Sequence, residues 1–356
     1  MTVSVAAQRI PSAPSDIPTV HVAAQADAAA WNAFVDASVE ATAYHAWTWR
    51  EVFERAFGHT CVYLIARTGG TIRGVLPLVQ INSVLFGRTL TSLPFLNYGG
   101  VIARDAAAAE ALLATAAEEA RVRRCRHVEL RHIGRMFPSL PCRQHKVTML
   151  LRLRGVNWSA LDKKVRNQIR KAEKSELTVG SGGTELLDDF YAVFARNMRD
   201  HGTPVYGRAF FRQILQTFPA SARLHIVRLR TTPVAGGLTI RGRSQLEIPW
   251  ASSVRDYNAL CPNHLLYWTV IQHAIETGCA NFDFGRSTPG EGTFKFKEQW
   301  GAEPVPLHWE YLLNGSARVP DTSPDNPKYA LMVNAWRRLP VPVATLIGPH
   351  IVRSIP

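Results

Sequence analysis

The stretch that decides the fold runs from Leu246 to Pro304 and reads LEIPWASSVRDYNALCPNHLLYWTVIQHAIETGCANFDFGRSTPGEGTFKFKEQWGAEP. An extended run closes on Pro249-Trp250-Ala251-Ser252-Ser253, and a helix begins near Asn263, a residue suited to the N-cap, and stops at Gly278. Leu265, Trp268, Ile271, His273 and Ile275 fall near the 3.6-residue period of a buried stripe. A second strand, Asn281 to Phe284, leads into a glycine-rich loop at 285–292 and then into Phe294-Lys295-Phe296-Lys297, read as extended. Strand, helix and strand in this order bring polar groups to strand ends and loops, where α/β proteins collect chemistry.

The same order occurs twice along the chain. CVYLIARTGGTIRGVLPLV (61–79) parallels RLHIVRLRTTPVAGGLTIR (223–241), hairpin for hairpin, and Gly69-Gly70 is a strong turn signal. Helices at 31–39 and 47–57 precede the first hairpin. An extended run at 85–93, a helix at 105–121 and a strand at 127–131 follow it. Helices at 158–174, 185–199 and 209–218 precede the second hairpin, and the quoted stretch follows it. A duplicated α/β unit accounts for this pattern better than one large sheet. The division expected is 1–146 (with 1–20 a loose lead-in), 147–312 carrying the site, and a tail at 313–356.

LPFLNYGG, KVRNQIRKAEK, NMRDHGTPVY, EIPWASS and NFDFGRSTPGEGTFKFKEQWGAEPVPLHW resemble the motifs of the FemAB-like acyl/aminoacyltransferases, a branch related to the GNAT acyltransferase fold. More narrowly they resemble the FemAB-like proteins associated with exosortase (PEP-CTERM) and exopolysaccharide systems. The resemblance runs from about Tyr44 to the C-terminus and implies two tandem GNAT-like domains. It further implies transfer of an acyl or aminoacyl group to an amine on a cell-envelope glycan, an exopolysaccharide or a precursor. The donor it implies is an acyl thioester on CoA or a carrier, or an aminoacyl-tRNA, with no covalently bound cofactor. The pyrophosphate loop of ordinary GNAT enzymes, Q/R-x-x-G-x-G/A before a helix, is not recognisable in either half. Two other readings stay open: tRNA-dependent aminoacyl transfer to a peptidoglycan-type precursor, and a non-catalytic scaffold in exopolysaccharide assembly.

Composition narrows the partners. A net charge of +13 favours anionic ones: a phosphorylated donor, a tRNA backbone or an anionic membrane surface. Five cysteines, odd in number and without a C-x-x-C pair, argue against a disulfide framework or a zinc site and for a reducing cytoplasm. No H-x-x-x-H spacing or G-x-S-x-G elbow is present, so neither a metal nor a covalent nucleophile is expected. No segment reaches the roughly 18–20 apolar residues of a spanning helix, so the expectation is a soluble protein, at most resting on the inner face of a membrane.

Lys297, in the Phe-Lys dipeptide of the family pattern, is the first catalytic candidate. The resemblance implies that it faces the substrate and stabilises developing negative charge. Strand alternation would put Lys295 on its side, and two solvated lysines on an edge strand is the rival reading. Asp283 could orient an amine or take its proton, or could pair with Arg286 or cap the following loop. Trp250, Ser252 and Ser253 lie at a strand end where serine hydroxyls could hold a carbonyl oxygen, with a turn and a buried indole as the alternative. Arg166 and Arg170 share a helical face and could grip a phosphate, or belong to a solvated basic face. Arg286, Lys295, Asn97, Tyr98, Asn263 and Arg199 complete the substrate-binding set, the loop residues among them being equally suited to setting turns. In the tail, Pro340, Pro342 and Pro349 argue against a long helix. Its apolar groups are expected to close the first domain's core, with contact to an anionic membrane as the alternative.

Overall fold

The structure is a computed structural model that describes residues 17–84, 87–315, 317–320 and 327–355. Residues 1–16 of the expected lead-in and 85–86 of the expected extended run lie outside the described residues. Strands β1 (Thr19–Val22), β2 (Thr60–Thr68), β3 (Thr71–Ser83), β4 (Gly87–Thr91), β5 (Ile102–Ala103), β6 (His127–His132) and β7 (Cys142–Arg143) build the first sheet. The second consists of β8 (Val147–Arg152), β9 (Leu177–Gly182), β10 (Ala222–Leu229), β11 (Thr232–Arg241), β12 (Gln245–Ser253), β13 (Asn281–Ser287) and β14 (Glu303–Pro306). The helices are α1 (Ala28–Asp36), α2 (Trp49–Phe57), α3 (Ala106–Val122), α4 (Lys163–Lys174), α5 (Leu187–His201), α6 (Arg208–Thr217), α7 (Pro262–Glu276), α8 (Gly292–Glu298), α9 (Pro327–Arg337) and α10 (Val341–Val352).

Both expected hairpins form. β2 and β3 pair antiparallel across Gly69 and Gly70, whose positive φ values of 55° and 85° suit the tight turn, and β10 pairs with β11 in the same way. Each sheet then holds one parallel pair, β4 with β6 and β12 with β13. The two sheets are separate, as a tandem arrangement of GNAT-like halves requires.

Two features tie the halves together. After β14 pairs with β8, the chain crosses over and β15 (His308–Leu313) inserts between β6 and β7 of the first sheet. Residues 308–312, expected in the second unit, therefore complete the first; alternation in HWEYLL buries Trp309 and Tyr311 on one face and Glu310 on the other. The second tie is a common core. Trp31, Trp49 and Phe53 from α1 and α2 share a continuous apolar cluster with Phe190, Phe194 and Phe211 from α5 and α6. Helix α3 covers the outer face of the first sheet, and α4 with α7 that of the second.

Local departures from the sequence reading have local causes. Helix α7 starts at Pro262, with Cys261 in a left-handed conformation before it, so Asn263 lies inside the first turn and is not the cap. Ile275 projects into solvent, and Ala274 takes the buried position instead. The run Phe294 to Lys297 is helical, part of α8. In the tail, Pro342 occupies the first turn of α10, where its missing N–H costs nothing, and the helix continues through Pro349. Helices α9 and α10 pack on α5, and Val341 of α10 also packs against the core that the two halves share; Arg199 Nη1 donates to Leu339 O at 2.7 Å and holds the link between them.

Candidate active site

Strands β12 and β13 are hydrogen-bonded in parallel over only three residue pairs, ending with Glu247 beside Asp283. Beyond that point each carries one extra residue against its other neighbour. On β12 the register slips between Glu247 and Trp250, and on β13 between Asp283 and Arg286. Such bulges bend and re-aim a strand, so the two diverge and open a cleft at their C-terminal ends. Gly285 sits in the second bulge with φ of 75°, and a Cβ there would lie 3.2 Å from Ile248 O.

The cleft is a cavity of about 660 Å³. Its walls include Asn197 from α5, Ser252 and Ser253 from β12, Asn263 from α7, Lys297 from α8 and Arg337 from α9. The helical form of α8 separates the two lysines: Lys297 turns inward and is buried, while Lys295 points to solvent. Lys297 Nζ donates to Gly285 O at 2.9 Å and Arg286 O at 3.0 Å. An ammonium has three donors, so one remains for a bound group. Burial lowers the Lys297 pKa to about 8, against the opposing pull of Asp283 and Glu247.

Ser252 Oγ accepts from Asn197 Nδ2 at 3.1 Å, which leaves its own proton free to donate. Ser253 Oγ donates to Asn258 Oδ1 at 3.2 Å and accepts from Asn263 Nδ2 at 3.0 Å. Asn263 Oδ1 is buried and has no partner. The cavity wall thus offers a cation suited to a carbonyl oxygen and an orphaned acceptor suited to an N–H group.

Behind Lys297 lies a buried polar cluster that joins the halves. Asn97 Nδ2 donates to Glu247 Oε1 at 2.6 Å. Asp283 Oδ1 accepts from Gly285 N at 2.8 Å and from the Thr148 hydroxyl. The Tyr98 hydroxyl accepts from Gln245 Nε2 at 3.0 Å and lies 3.0 Å from Glu247 Oε2 and 2.8 Å from Asp283 Oδ2. One hydroxyl carries one proton, so it donates to one carboxyl, and the other contact needs a proton on a carboxyl oxygen. Burial raises both acids, and each anion would repel the other, so the pair keeps a proton beyond the ordinary carboxylate range.

Lys297, Ser252, Ser253 and Asn263 therefore meet in one cavity. Asp283 does not line it and touches the site through Gly285 and Lys297. Asn97 and Tyr98 are buried in the cluster and are not surface turn residues. Trp250 packs edge-on against Phe210 and Phe211 in the shared core. Arg286 is exposed, with its guanidinium 5.4 Å from the Trp309 ring. Arg199 is committed to Asp200 and the tail. Arg166 and Arg170 lie on α4 outside the cavity lining, Arg170 stacked on Trp158 at 5.3 Å. Glu247 escaped the sequence reading, although one acid inside the apolar run QLEIPW was a signal for it.

Two sheets, each opening at a parallel strand pair, define an α/β protein of tandem GNAT-like domains. Residues 159–298 match the acetyltransferase (GNAT) domain, so the second half carries an acyltransferase domain. The fold is similar to that of FemX, with a TM-score of 0.61 at 15% identity over 83% of this chain and 97% of that one. It is also similar to a tandem GNAT protein from the clavulanic acid biosynthesis pathway (TM-score 0.54, 12% identity, 85% and 100% covered). A third likeness is to the C-terminal domain of a proposed lysylphosphatidylglycerol synthetase from Agrobacterium fabrum (0.54, 13%, 76% and 88%). No curated protein matches the chain significantly.

Proposed function

We propose that the protein transfers an acyl or aminoacyl group to an amine on a cell-envelope glycan, an exopolysaccharide or a precursor of one. The observation that carries this reading is the pairing, in one cavity of about 660 Å³, of the Lys297 ammonium with the orphaned Asn263 Oδ1. The amine N–H is held by Asn263, and its lone pair attacks the acyl carbonyl. The C–N bond forms as negative charge gathers on the carbonyl oxygen, where the third Lys297 N–H and the Ser252 hydroxyl stabilise it. Collapse breaks the bond to the donor's sulfur, or to ribose oxygen in an aminoacyl-tRNA, and the amine's proton leaves with that group or to water. Asp283 and Glu247 act as positioning residues, fixing the Gly285 bulge whose carbonyl holds Lys297.

The sequence motifs favour an acceptor in an exosortase-linked exopolysaccharide system. The net charge of +13 favours tRNA as the rival donor. The test is mass spectrometry of ligands retained on purification, followed by incubation with the acyl-CoA or aminoacyl-tRNA so identified and amino-sugar nucleotides. Transfer that is lost in Lys297→Met supports the reading. Equal transfer by the folded variant, or no transfer from either donor class, defeats it.

A further inference from the structure

The tail helices pack one face and leave the other bare. On α10, Ala344, Gly348 and Val352 recur every four residues and are buried, Gly348 so closely that a Cβ would lie 2.9 Å from Val205 N. On α9, Trp336 is buried. The opposite side of α10 exposes Val343, Leu346, Ile347 and Ile351, and α9 exposes Leu331 and Met332; Leu331 and Leu346 are 80% and 71% exposed. Elsewhere among the described residues large exposed apolar side chains are scattered through the chain, such as Val39, Val84 and Val122, whereas these six fall within 21 residues. A helix facing water presents polar residues on its outer side, and α10 presents aliphatic ones.

The charged residues of the tail itself have one sign. Residues 327–356 contain Lys328, Arg337, Arg338 and Arg353 and no Asp or Glu. We infer that the outer face of α9 and α10 rests on an anionic lipid surface. Aliphatic side chains enter the boundary between headgroups and acyl chains, and the neighbouring arginines meet lipid phosphates. No described helix is long and apolar enough to cross a membrane, so the contact is peripheral. A second copy docking through the same face would set Arg337, Arg338 and Arg353 against like charges, and a nucleic acid would have no use for exposed leucine and isoleucine. Arg337 also lines the large cavity, so the bound orientation places the cavity beside the lipid headgroups. The inference does not depend on which reaction the cavity performs.

Vesicle sedimentation of the full chain tests it. Wild type should sediment with phosphatidylcholine vesicles containing phosphatidylglycerol and much less with phosphatidylcholine alone. Leu346→Glu with Ile347→Glu should weaken that binding at least about tenfold with an unchanged melting temperature, because two apolar contacts become two repelled charges. Arg338→Glu should weaken it severalfold. If the double variant melts lower, Leu346→Ser serves in its place, with a smaller but measurable loss. Absence of wild-type binding to the anionic vesicles overturns the inference. So does binding that none of these variants changes, which would assign it to the rest of the basic surface. A dimer that dissociates in the Leu346 variants would also overturn it, identifying the occupant as a second copy.

Discussion

In the first sheet the parallel pair β4–β6 sets Glu129 beside Thr91; in the second, β12–β13 sets Asp283 beside Glu247. Glu129 is answered by Arg131, whose Nε lies 2.7 Å away and whose guanidinium also donates to Leu96 O and stacks on Trp309 at 4.3 Å. No cation bonds directly to Glu247 or Asp283 among the described residues; Tyr98 bridges them, and the nearby ammonium of Lys297 is turned to two carbonyls. The cavities differ in the same way. The first half has one of about 560 Å³ beside His45 and His132. There His132 Nδ1 donates to Glu310 at 2.7 Å and Nε2 accepts from Val101 N, while His45 Nε2 donates to Gly100 O at 3.2 Å. Burial lowers the His45 pKa to about 4, which keeps that ring neutral. The histidines of the first cleft are held by the protein itself, whereas the second leaves a donor of Lys297 and Asn263 Oδ1 for something else. One topology thus serves stability in one half and supplies unsatisfied groups for chemistry in the other.

The largest expected effect is on transfer. Lys297→Met should lower turnover by about 10²–10³, the usual cost of removing one oxyanion donor, whereas Lys295→Met, at an exposed position, should leave it near wild type. The Lys297 variant also strips a donor from two carbonyls and should melt lower, so rates are compared well below both melting temperatures. Similar rates for the two variants would erase the distinction between inward and outward lysine.

Next comes stability. Glu129→Gln leaves Arg131 buried without its counter-charge and should cost about 3–5 kcal/mol in urea unfolding. Glu247→Gln replaces an acid that shares a proton by an amide of the same shape and should cost less than about 1.5 kcal/mol. Equal losses would mean that the two acids do the same job.

The pH dependence should carry opposite signs on its two limbs. A buried acid raised from 4.5 to about 8 keeps its proton in the folded chain after the unfolded chain has lost it. Folding stability contributed by Glu247 is therefore complete below pH 4.5 and declines as pH rises through about 8. Lys297, lowered from 10.5 to about 8, prefers its neutral form, so the penalty for burying its charge is relieved as pH climbs through that window. Urea melts across pH should show the lower limb flattened in Glu247→Gln and the upper limb lost in Lys297→Met. An unaltered lower limb in Glu247→Gln would place the proton elsewhere.

The smallest effect on turnover is at the bulge. Gly285→Ala forces an L side chain into φ of 75° and towards Ile248 O, a cost of about 1–2 kcal/mol. It should lower the melting temperature and reduce turnover modestly by moving the carbonyl that holds Lys297. A neutral result would separate the bulge from the lysine.

Much of this was legible in residue order. The Gly69-Gly70 turn, the two parallel hairpins and the strand–helix–strand of the second half are local, set by backbone preference and by periodicity within a few residues. They suffice for two tandem α/β units, whereas Lys297 leads the candidates through its place in a Phe-Lys dipeptide that resembles the family pattern. The geometry of FKFK was not legible, because phenylalanine and lysine alternate alike in a strand or in a short helix; packing of Phe296 against Tyr267 and His264 decided it. Nor could local sequence show that Asn97 and Tyr98 reach Glu247 and Asp283, contacts spanning about 150 to 185 residues of chain. The proton shared by two acids, the strand that β15 gives to the first sheet and the bare face of α10 have a common origin. Each depends on which distant groups share a buried volume, and only the closed tertiary structure decides that.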